Sequence, residues 1–276
     1  MLEKISLSKN GLPKHRFLWN CPDCGSYFPP YKPVLRTEVE HLANTVEAPQ
    51  VFFADRVSRS TIALAKHFRT QGALVFFEPS AAGEPKLFRE MLAVCDVVKY
   101  SAQRARSFSE LLRSHDAFLE IETLGEDGLR FRTRRAFQSW QAVPGFEVRI
   151  KDTAGSGDWT SVGLISGLFE SGRKNLERHS RRDIVEALSY SQALAAMNCQ
   201  FEAPRGAMYR LPRPRFLQAV DALQVNGPEA LRESERVSLA EHLTTSAVCP
   251  ACSPGTIGSH SKSSAIRREA VLSAAR

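Results

Sequence analysis

Short apolar runs alternate with segments of helical periodicity between residues 51 and 200, and this alternation constrains the fold more than any other feature of the sequence. Residues 73–77 are continuously apolar, as buried strands of a parallel sheet tend to be. Regular alternation of strand and helix is typical of a doubly wound, mostly parallel α/β sheet with helices on both faces. The predicted strands are residues 51–53, 73–77, 96–100, 117–123, 129–134 (an exposed edge strand) and 142–143.

Helices are predicted wherever apolar residues recur three or four positions apart. The helix at 59–70 has Ile62, Ala65 and Phe68 on one face, with Asp55 or Ser58 as its capping residue. The strongly charged stretch 171–182 is predicted to be a surface excursion. The remaining predicted helices are residues 37–46, 85–94, 107–114, 183–198 and 214–223, together with an apolar helix that follows residue 158.

Composition indicates a soluble globular protein, because 43% of its 276 residues are apolar and 24% are charged. We expect a basic segment with a short hairpin at residues 1–44, an α/β domain at 45–225, and a polar, partly disordered tail at 226–276. No apolar run approaches the ~20 residues of a membrane span, and residues 1–20 lack a signal-peptide core. The expected location is therefore cytoplasmic, with no membrane partner.

The net charge of +7 is concentrated at the two ends of the chain. Residues 1–36 carry six Lys or Arg against two Asp or Glu, which leaves +4, and residues 256–276 carry four against one, which leaves +3. The intervening residues are therefore neutral. Since a nucleic-acid-binding core usually has its own basic face, nucleic acid is not an expected partner.

A loop of small residues at 152–158, Asp-Thr-Ala-Gly-Ser-Gly-Asp, leads directly into an apolar helix. Gly155 and Gly157 allow the backbone to turn tightly and to approach a ligand. The first amides of a helix lack partners inside it and carry partial positive charge, so the loop predicts an anion site. Asp158 would repel an anion, unless its task is to accept a proton from an attacking hydroxyl while the amides hold a phosphoryl group.

This loop resembles the second signature of the PfkB (ribokinase-like) carbohydrate kinases, Asp-Thr-x-Gly-Ala-Gly-Asp, with a capping turn of another α/β protein as the alternative. The resemblance implies ATP-dependent transfer of the γ-phosphoryl group to a hydroxyl of a sugar or nucleoside, with Mg²⁺ as a further cofactor. It makes Asp158 the base. The matching positions are Asp152, Thr153, Gly155, Gly157 and Asp158, and the implied anion hole is Ala154, Gly155, Ser156 and Gly157.

Further segments extend the resemblance towards a nucleotide site. Residues 123–128 fit the family's Thr-x-Gly-x-x-Gly, although Asp127-Gly128 is also a strong hairpin signal. Residues 198–207 fall where the family closes over the adenine. Asp152 is expected to act through hydrogen bonds to its own loop or through metal-bound water. The cofactor-binding residues implied in this way are Thr123, Gly125, Asp152, Thr153, Asn198 and Gly206.

The sequence departs from the family pattern at three places. Glu78-Pro79-Ser80 stands where the family often has Asp-Pro-Asn, and Ser101 to Arg104 stands where it often has Asn-x-x-Glu, which is tied to magnesium and phosphate. Arg104 either contacts a phosphate in place of that carboxylate or is a solvated surface charge. The chain has no Gly-Gly segment, so the resemblance covers residues 45–225 and the ribokinase-like fold is incomplete at its N-terminus. An exposed sheet edge would favour a homo-oligomer or a companion chain.

Two Cys-x-x-Cys pairs, Cys21/Cys24 and Cys249/Cys252, lie near opposite ends of the chain. Four thiolates suit a closed structural zinc site, although standard ribbons place the pairs ~15–20 residues apart. A redox or disulfide role and the absence of metal stay open. These pairs also carry the alternative function, a zinc-stabilised and catalytically degenerate nucleotide-binding or regulatory protein.

Overall fold

The computed structural model describes residues 2–7, 13–30, 32–113, 115–134, 138–227 and 231. These residues fall into two compact units that divide between Lys32 and Pro33. In the smaller unit, β1 (Leu2–Leu7) and β2 (Pro13–Leu18) form an antiparallel pair, as the hairpin prediction requires. The predicted disorder at residues 253–276 and most of the predicted polar tail lie outside the described residues.

The larger unit contains a mixed sheet in which six of the described strands are neighbours in chain order. The first four strands are parallel, and the last two continue the sheet in antiparallel fashion. The prediction of a mostly parallel sheet is therefore confirmed. The strands are β3 (Val51–Ala54), β4 (Leu74–Phe77), β5 (Val97–Ser101), β6 (Leu119–Thr123), β7 (Leu129–Thr133) and β8 (Gln141–Val143).

Helices connect and follow these strands. Ser58, and not Asp55, caps α2, because its hydroxyl accepts a 3.0 Å hydrogen bond from the Thr61 amide. The helix predicted at 107–114 is present but shorter, as α5 (Ser109–Leu112), and a further four-residue helix, α4 (Ala102–Ala105), precedes it. The helices are α1 (Arg36–Thr45), α2 (Arg59–Thr70), α3 (Pro85–Leu92), α4 (Ala102–Ala105), α5 (Ser109–Leu112), α6 (Ser156–Leu168), α7 (Arg181–Cys199), α8 (Gly206–Arg210) and α9 (Arg213–Asn226).

Both faces of the sheet are covered, because successive strand residues point in opposite directions. In β4, Val75 and Phe77 pack with α2, α3 and α5 on one face. Leu74 and Phe76 pack with α6 and α7 on the other face. The sheet is thus doubly wound, as predicted. None of the helices in the described part of the chain combines the length and the apolar character that a membrane span requires.

The helices α6 and α7 pack closely because Gly163 has no side chain at their crossing. A β-carbon at Gly163 would lie 2.8 Å from the Ser191 Cα and the Leu194 Cδ1, too near for any larger residue without a shift. Gly163 therefore allows α6 to lie directly against the long helix α7. Because α7 also packs against α9, the start of α6 belongs to a group of helices that includes α7 and α9.

The charged segment 171–182 lies at the surface and is also hydrogen-bonded to the residue that precedes β5. The Arg173 Nε donates a 2.8 Å hydrogen bond to Asp96, which is only 2% exposed and also accepts from Arg69 and the Val75 amide. Leu176 is buried in the same segment. Most residues of the segment are exposed, as predicted, and what the prediction missed is this attachment, because the partner of Arg173 is distant in the sequence.

Candidate functional site

The loop that precedes α6 lies over the carboxyl ends of the parallel strands. Glu78 directly follows β4, and Lys99 lies near the end of β5; both contact the start of α6. In open α/β sheets this edge is where ligands bind. The fold thus places the predicted anion loop at the edge where a ligand site is expected.

Gly155 gives the loop the shape it needs to begin the helix. Its φ of 76° is in the left-handed region, and it is the N-cap of α6. A β-carbon at Gly155 would lie 2.9 Å from the Pro204 Cα, so a side chain there would push the loop away from the segment that follows α7. Both the conformation and the close approach require glycine.

The amides of the loop divide into two groups. The Ala154 amide donates to Asp152 at 2.9 Å, and the Ser156 amide donates to the Thr153 carbonyl at 3.2 Å. Among the described residues, no acceptor is found for the amides of Gly155, Gly157 and Asp158. Unpartnered amides in the first turn of a 13-residue helix suit an anion. The geometry therefore favours Gly155 and Gly157 within the predicted anion hole, because Ala154 and Ser156 are bonded inside the loop.

Asp152 connects this loop to the segment that follows α7. The side chain is 1% exposed, and one oxygen accepts from the Ala154 amide while the other accepts from the Ala203 amide, each at 2.9 Å. Ala203 has φ of 74°, which is uncommon for a residue other than glycine. The indole of Trp159 adds a second connection by donating to the Pro204 carbonyl at 2.9 Å. These bonds fit the expectation that Asp152 supports the loop.

The remaining residues of the predicted nucleotide site occupy different environments. Asn198 is buried, and its amide group bonds the Ala203 carbonyl and the Ala207 amide, so it shapes its own loop. Gly206 is buried against Phe201. Thr123 is half-buried at the end of β6, while Gly125 and Thr153 are exposed. A direct contact between any of these residues and a nucleotide stays a prediction.

Asp158 occupies the third position of α6, exposed at the mouth of the site. Shielding of its carboxyl group from water is the largest cause that raises its pKa, and the negative charge of Glu78 raises the pKa further. The positive charges of Lys99 and Arg104 act in the opposite direction. A carboxylate with a raised pKa is better suited to accept a proton near neutral pH than an ordinary aspartate.

Three residues of the site were missed by the sequence-based prediction. Lys99 was assigned only to a strand, Glu78 was noted only as a departure from a motif, and Ser161 was assigned only to a helix. In the structure the Lys99 ammonium donates to Glu78 at 2.5 Å and to the Gly157 carbonyl at 3.1 Å, while the Ser161 hydroxyl donates to Glu78 at 2.5 Å. The available signal was a lysine inside an otherwise apolar buried strand.

Arg104 lies in the short helix α4, where the family pattern usually has a carboxylate. Its side chain is exposed, and its charge is close enough to Asp158 to lower the pKa of that carboxyl group. This position agrees with a contact between Arg104 and a bound phosphate. The contact stays a prediction, with a solvated surface charge as its alternative.

The first Cys-x-x-Cys pair forms a tight turn in the smaller unit. The Gly25 amide donates to the Cys21 carbonyl at 2.9 Å, and Gly25 has φ of 73°. Cys21 is buried and Cys24 is exposed, whereas Cys249 and Cys252 lie outside the described residues. Within the described ranges, no group of three or more His, Cys, Asp or Glu side chains is suited to hold a metal. The turn fits half of a zinc site, and the four-cysteine site stays a prediction.

These features define a class of protein. An open, mostly parallel sheet with an unpartnered helix start at the carboxyl ends of its strands is the arrangement of α/β proteins that bind phosphate groups. The model of the pfkB family carbohydrate kinase matches residues 38–208. This range is more than half of the 276-residue chain. The chain belongs to this family. No protein with a curated description matches the sequence.

Solved structures agree with this assignment at the level of the fold. The Burkholderia thailandensis nucleoside kinase in complex with inosine is 13% identical, with a TM-score of 0.53 over 74% of this chain and 62% of that chain. The Xylella fastidiosa fructokinase with bound ATP is 19% identical, with a TM-score of 0.53 over 73% and 68%. The Giardia lamblia ribokinase is 14% identical, with a TM-score of 0.53 over 73% and 66%. The chain therefore spans less than two thirds of the nucleoside kinase.

Proposed function

We propose that the chain is an ATP-dependent phosphotransferase that moves the γ-phosphoryl group to a hydroxyl of a sugar or nucleoside. The observation that carries the proposal is the position of Asp158 beside the unpartnered amides of Gly157 and Asp158 itself, at the carboxyl edge of the sheet. A base and an anion site then lie within one helical turn. Membership of the carbohydrate kinase family supports the same assignment.

In the proposed reaction the acceptor hydroxyl gives its proton to the Asp158 carboxylate. The hydroxyl oxygen attacks the γ-phosphorus, the bond to the β–γ bridging oxygen breaks, and ADP leaves. The amides at the start of α6 stabilise the charge on the transferring oxygens, and Arg104 contributes positive charge to the same phosphate. Thr123 and Gly125 are proposed to line the nucleotide site.

Magnesium is the expected companion of the nucleotide, because Mg²⁺ neutralises the charge of a triphosphate when it is bound. Since the described part of the chain offers no cluster of three metal-binding side chains, we assign no protein ligand to this ion. The replacement of the family's Asn-x-x-Glu by Ser101 to Arg104 agrees with this choice. In this proposal, the positive charge of Arg104 stands where the family pattern Asn-x-x-Glu has its carboxylate.

Calorimetry with ATP and Mg²⁺ tests the proposal most directly. We expect micromolar binding, followed by acceptor-dependent release of ADP when the protein is supplied with sugars and nucleosides. Zinc content is measured on the same sample, so that a folded, zinc-loaded protein can be recognised. A folded sample that binds no ATP would contradict the proposal.

The pH dependence of the reaction provides a second test. Because the pKa of Asp158 is raised and the base must be ionised, activity should be lost as the pH falls through this raised pKa. The pH at which kcat/KM falls on the acid side should therefore be higher than the pKa of an ordinary aspartate. A profile of kcat/KM against pH at saturating ATP measures it, and an acid limb within the ordinary aspartate range would argue against Asp158 as the base.

The second candidate function is a zinc-stabilised protein that binds nucleotide or regulates without turnover. The observation in its favour is the missing carboxylate in the Ser101 to Arg104 segment. ATP binding with no transfer to any acceptor would favour this candidate. The tight turn at Cys21 and Cys24 would then serve as half of a structural zinc site.

A further inference from the structure

We propose that Glu78 and Lys99 are a pair of positioning residues that hold the first turn of α6 and balance the charge around Asp158. The catalytic consequence of this inference rests on the proposed function. The effect on the charge of Asp158 does not, because it can be measured without turnover.

The Lys99 side chain extends from the sheet to the start of α6. It lies in β5, between β4 and β6, with 1% of its side chain exposed. Its ammonium donates to Glu78 at 2.5 Å and to the Gly157 carbonyl at 3.1 Å. Because Gly157 directly precedes Asp158, Lys99 holds the backbone beside the proposed base and does not itself reach a substrate.

Glu78 contacts the start of α6 at a second point, further along the helix. One carboxylate oxygen pairs with Lys99, and the second accepts from the Ser161 hydroxyl at 2.5 Å. Ser161 follows Asp158 by three residues, so the bonds bracket Asp158 at Gly157 and at Ser161. A β-carbon on Gly157 would lie 3.5 Å from Glu78 Oε1 and 3.8 Å from Lys99 Nζ, which places the pair directly beneath the turn.

A stable core alone does not require this pair. Buried ion pairs are often no more stabilising than apolar side chains of similar volume, because two charges must lose their water. The neighbours Val97 and Val98 are completely buried and apolar. Burial lowers the pKa of the Lys99 ammonium, and Glu78 opposes that effect. The position of the pair under the proposed base gives its presence a functional reason.

Four charged groups from different elements act on Asp158. Glu78 after β4 and Asp55 after β3 raise its pKa, together with the loss of hydration, while Lys99 in β5 and Arg104 in α4 lower it. Loss of the Lys99 charge leaves Glu78 unopposed and should raise the pKa of Asp158. Loss of the Glu78 charge leaves Lys99 unopposed and should lower it. Shifts of opposite sign are what two opposite charges that both act on Asp158 should produce, and a pair that only held the backbone would not produce them.

The experiment compares Lys99→Met and Glu78→Gln in the full chain by a ¹³C NMR titration of labelled aspartate carboxyl groups. The Asp158 signal is assigned by its loss in Asp158→Asn. We expect the Asp158 midpoint to move up in the first variant and down in the second, and to return towards the original value in the double variant. We also expect kcat/KM to fall by about 10²-fold in each single variant, because the base is misplaced.

Arg69→Met is the matched control, because Arg69 pairs with buried Asp96 at 3.0 Å at another place in the fold. It should leave the Asp158 midpoint unchanged. If Lys99→Met does not fold, Lys99→Gln removes the same charge and keeps a donor for the Gly157 carbonyl.

Shifts of the same sign, or no shift in either variant, would overturn the inference even in an active kinase. Shifts of the Asp158 midpoint in opposite directions, in a protein that transfers no phosphoryl group, would support the effect of the pair on Asp158. They would at the same time reject the proposed function. The two failures are therefore distinguishable.

Discussion

Replacing Asp158 with asparagine should reduce kcat for phosphoryl transfer by about 10²- to 10⁴-fold, the range that a positioned general base contributes. The amide has nearly the same shape but cannot accept the proton of the acceptor hydroxyl. ATP binding should persist, because the unpartnered amides at the start of α6 remain in place. Initial rates of ADP formation and calorimetry of ATP binding measure the two effects separately.

Glu110→Gln is the control for this substitution, since Glu110 is an exposed carboxylate that pairs with Arg113 on the surface. It should retain the rate of the unsubstituted protein. If Asp158→Asn kept the same rate as Glu110→Gln, the base would have to be sought elsewhere.

Replacing Asp152 with alanine should lower both the stability and the activity of the protein. The substitution leaves the amides of Ala154 and Ala203, which are half-buried, without the acceptors they have now. A fully buried donor without an acceptor costs about 1–3 kcal/mol, so the two half-buried amides together should lower the free energy of unfolding by about 1–3 kcal/mol. Chemical denaturation monitored by circular dichroism measures this loss, and initial rates measure the accompanying loss of transfer.

Asp116→Ala is the matched control, because Asp116 is 69% exposed and bonds only Arg134 among the described residues. An exposed pair contributes about 0–1 kcal/mol, so this variant should unfold almost as the unsubstituted protein does. Equal stability of Asp152→Ala and Asp116→Ala would show that the two loops are not held together through Asp152.

The sequence predicted the parallel part of the sheet well, because its strands are short, largely buried runs that alternate with helical segments. Residues 73–77 could be assigned from apolar character alone, and residues 96–100 were assigned although they include Asp96 and Lys99. Both ranges belong to strands or their immediate approach in the structure. The small residues of the loop before α6 were equally informative. Gly155 was predicted to turn the backbone tightly, and it adopts the left-handed conformation. Local patterns of this kind can be read from one stretch of sequence.

The contacts that shape the candidate site could not be predicted in the same way, because their partners are far apart in the chain. Asp152 bonds the Ala203 amide, 51 residues away, and Lys99 bonds the Gly157 carbonyl, 58 residues away. Arg173 reaches Asp96 across 77 residues. No periodicity or motif encodes such pairs. The sequence analysis noted Glu78 only as a departure from a motif and assigned Lys99 only to a strand, and the fold was needed to bring them together.

The position of Trp159 has a practical consequence for spectroscopy. Its indole donates to the Pro204 carbonyl and packs 5.1 Å from the ring of Phe216, immediately next to Asp158. Indole emission responds to the polarity around the ring. A displacement of the segment that contains Pro204 would therefore shift the wavelength of the emission maximum. With Trp19 and Trp140, the other tryptophans of the chain, replaced by phenylalanine, the protein would carry its own optical reporter beside the proposed base.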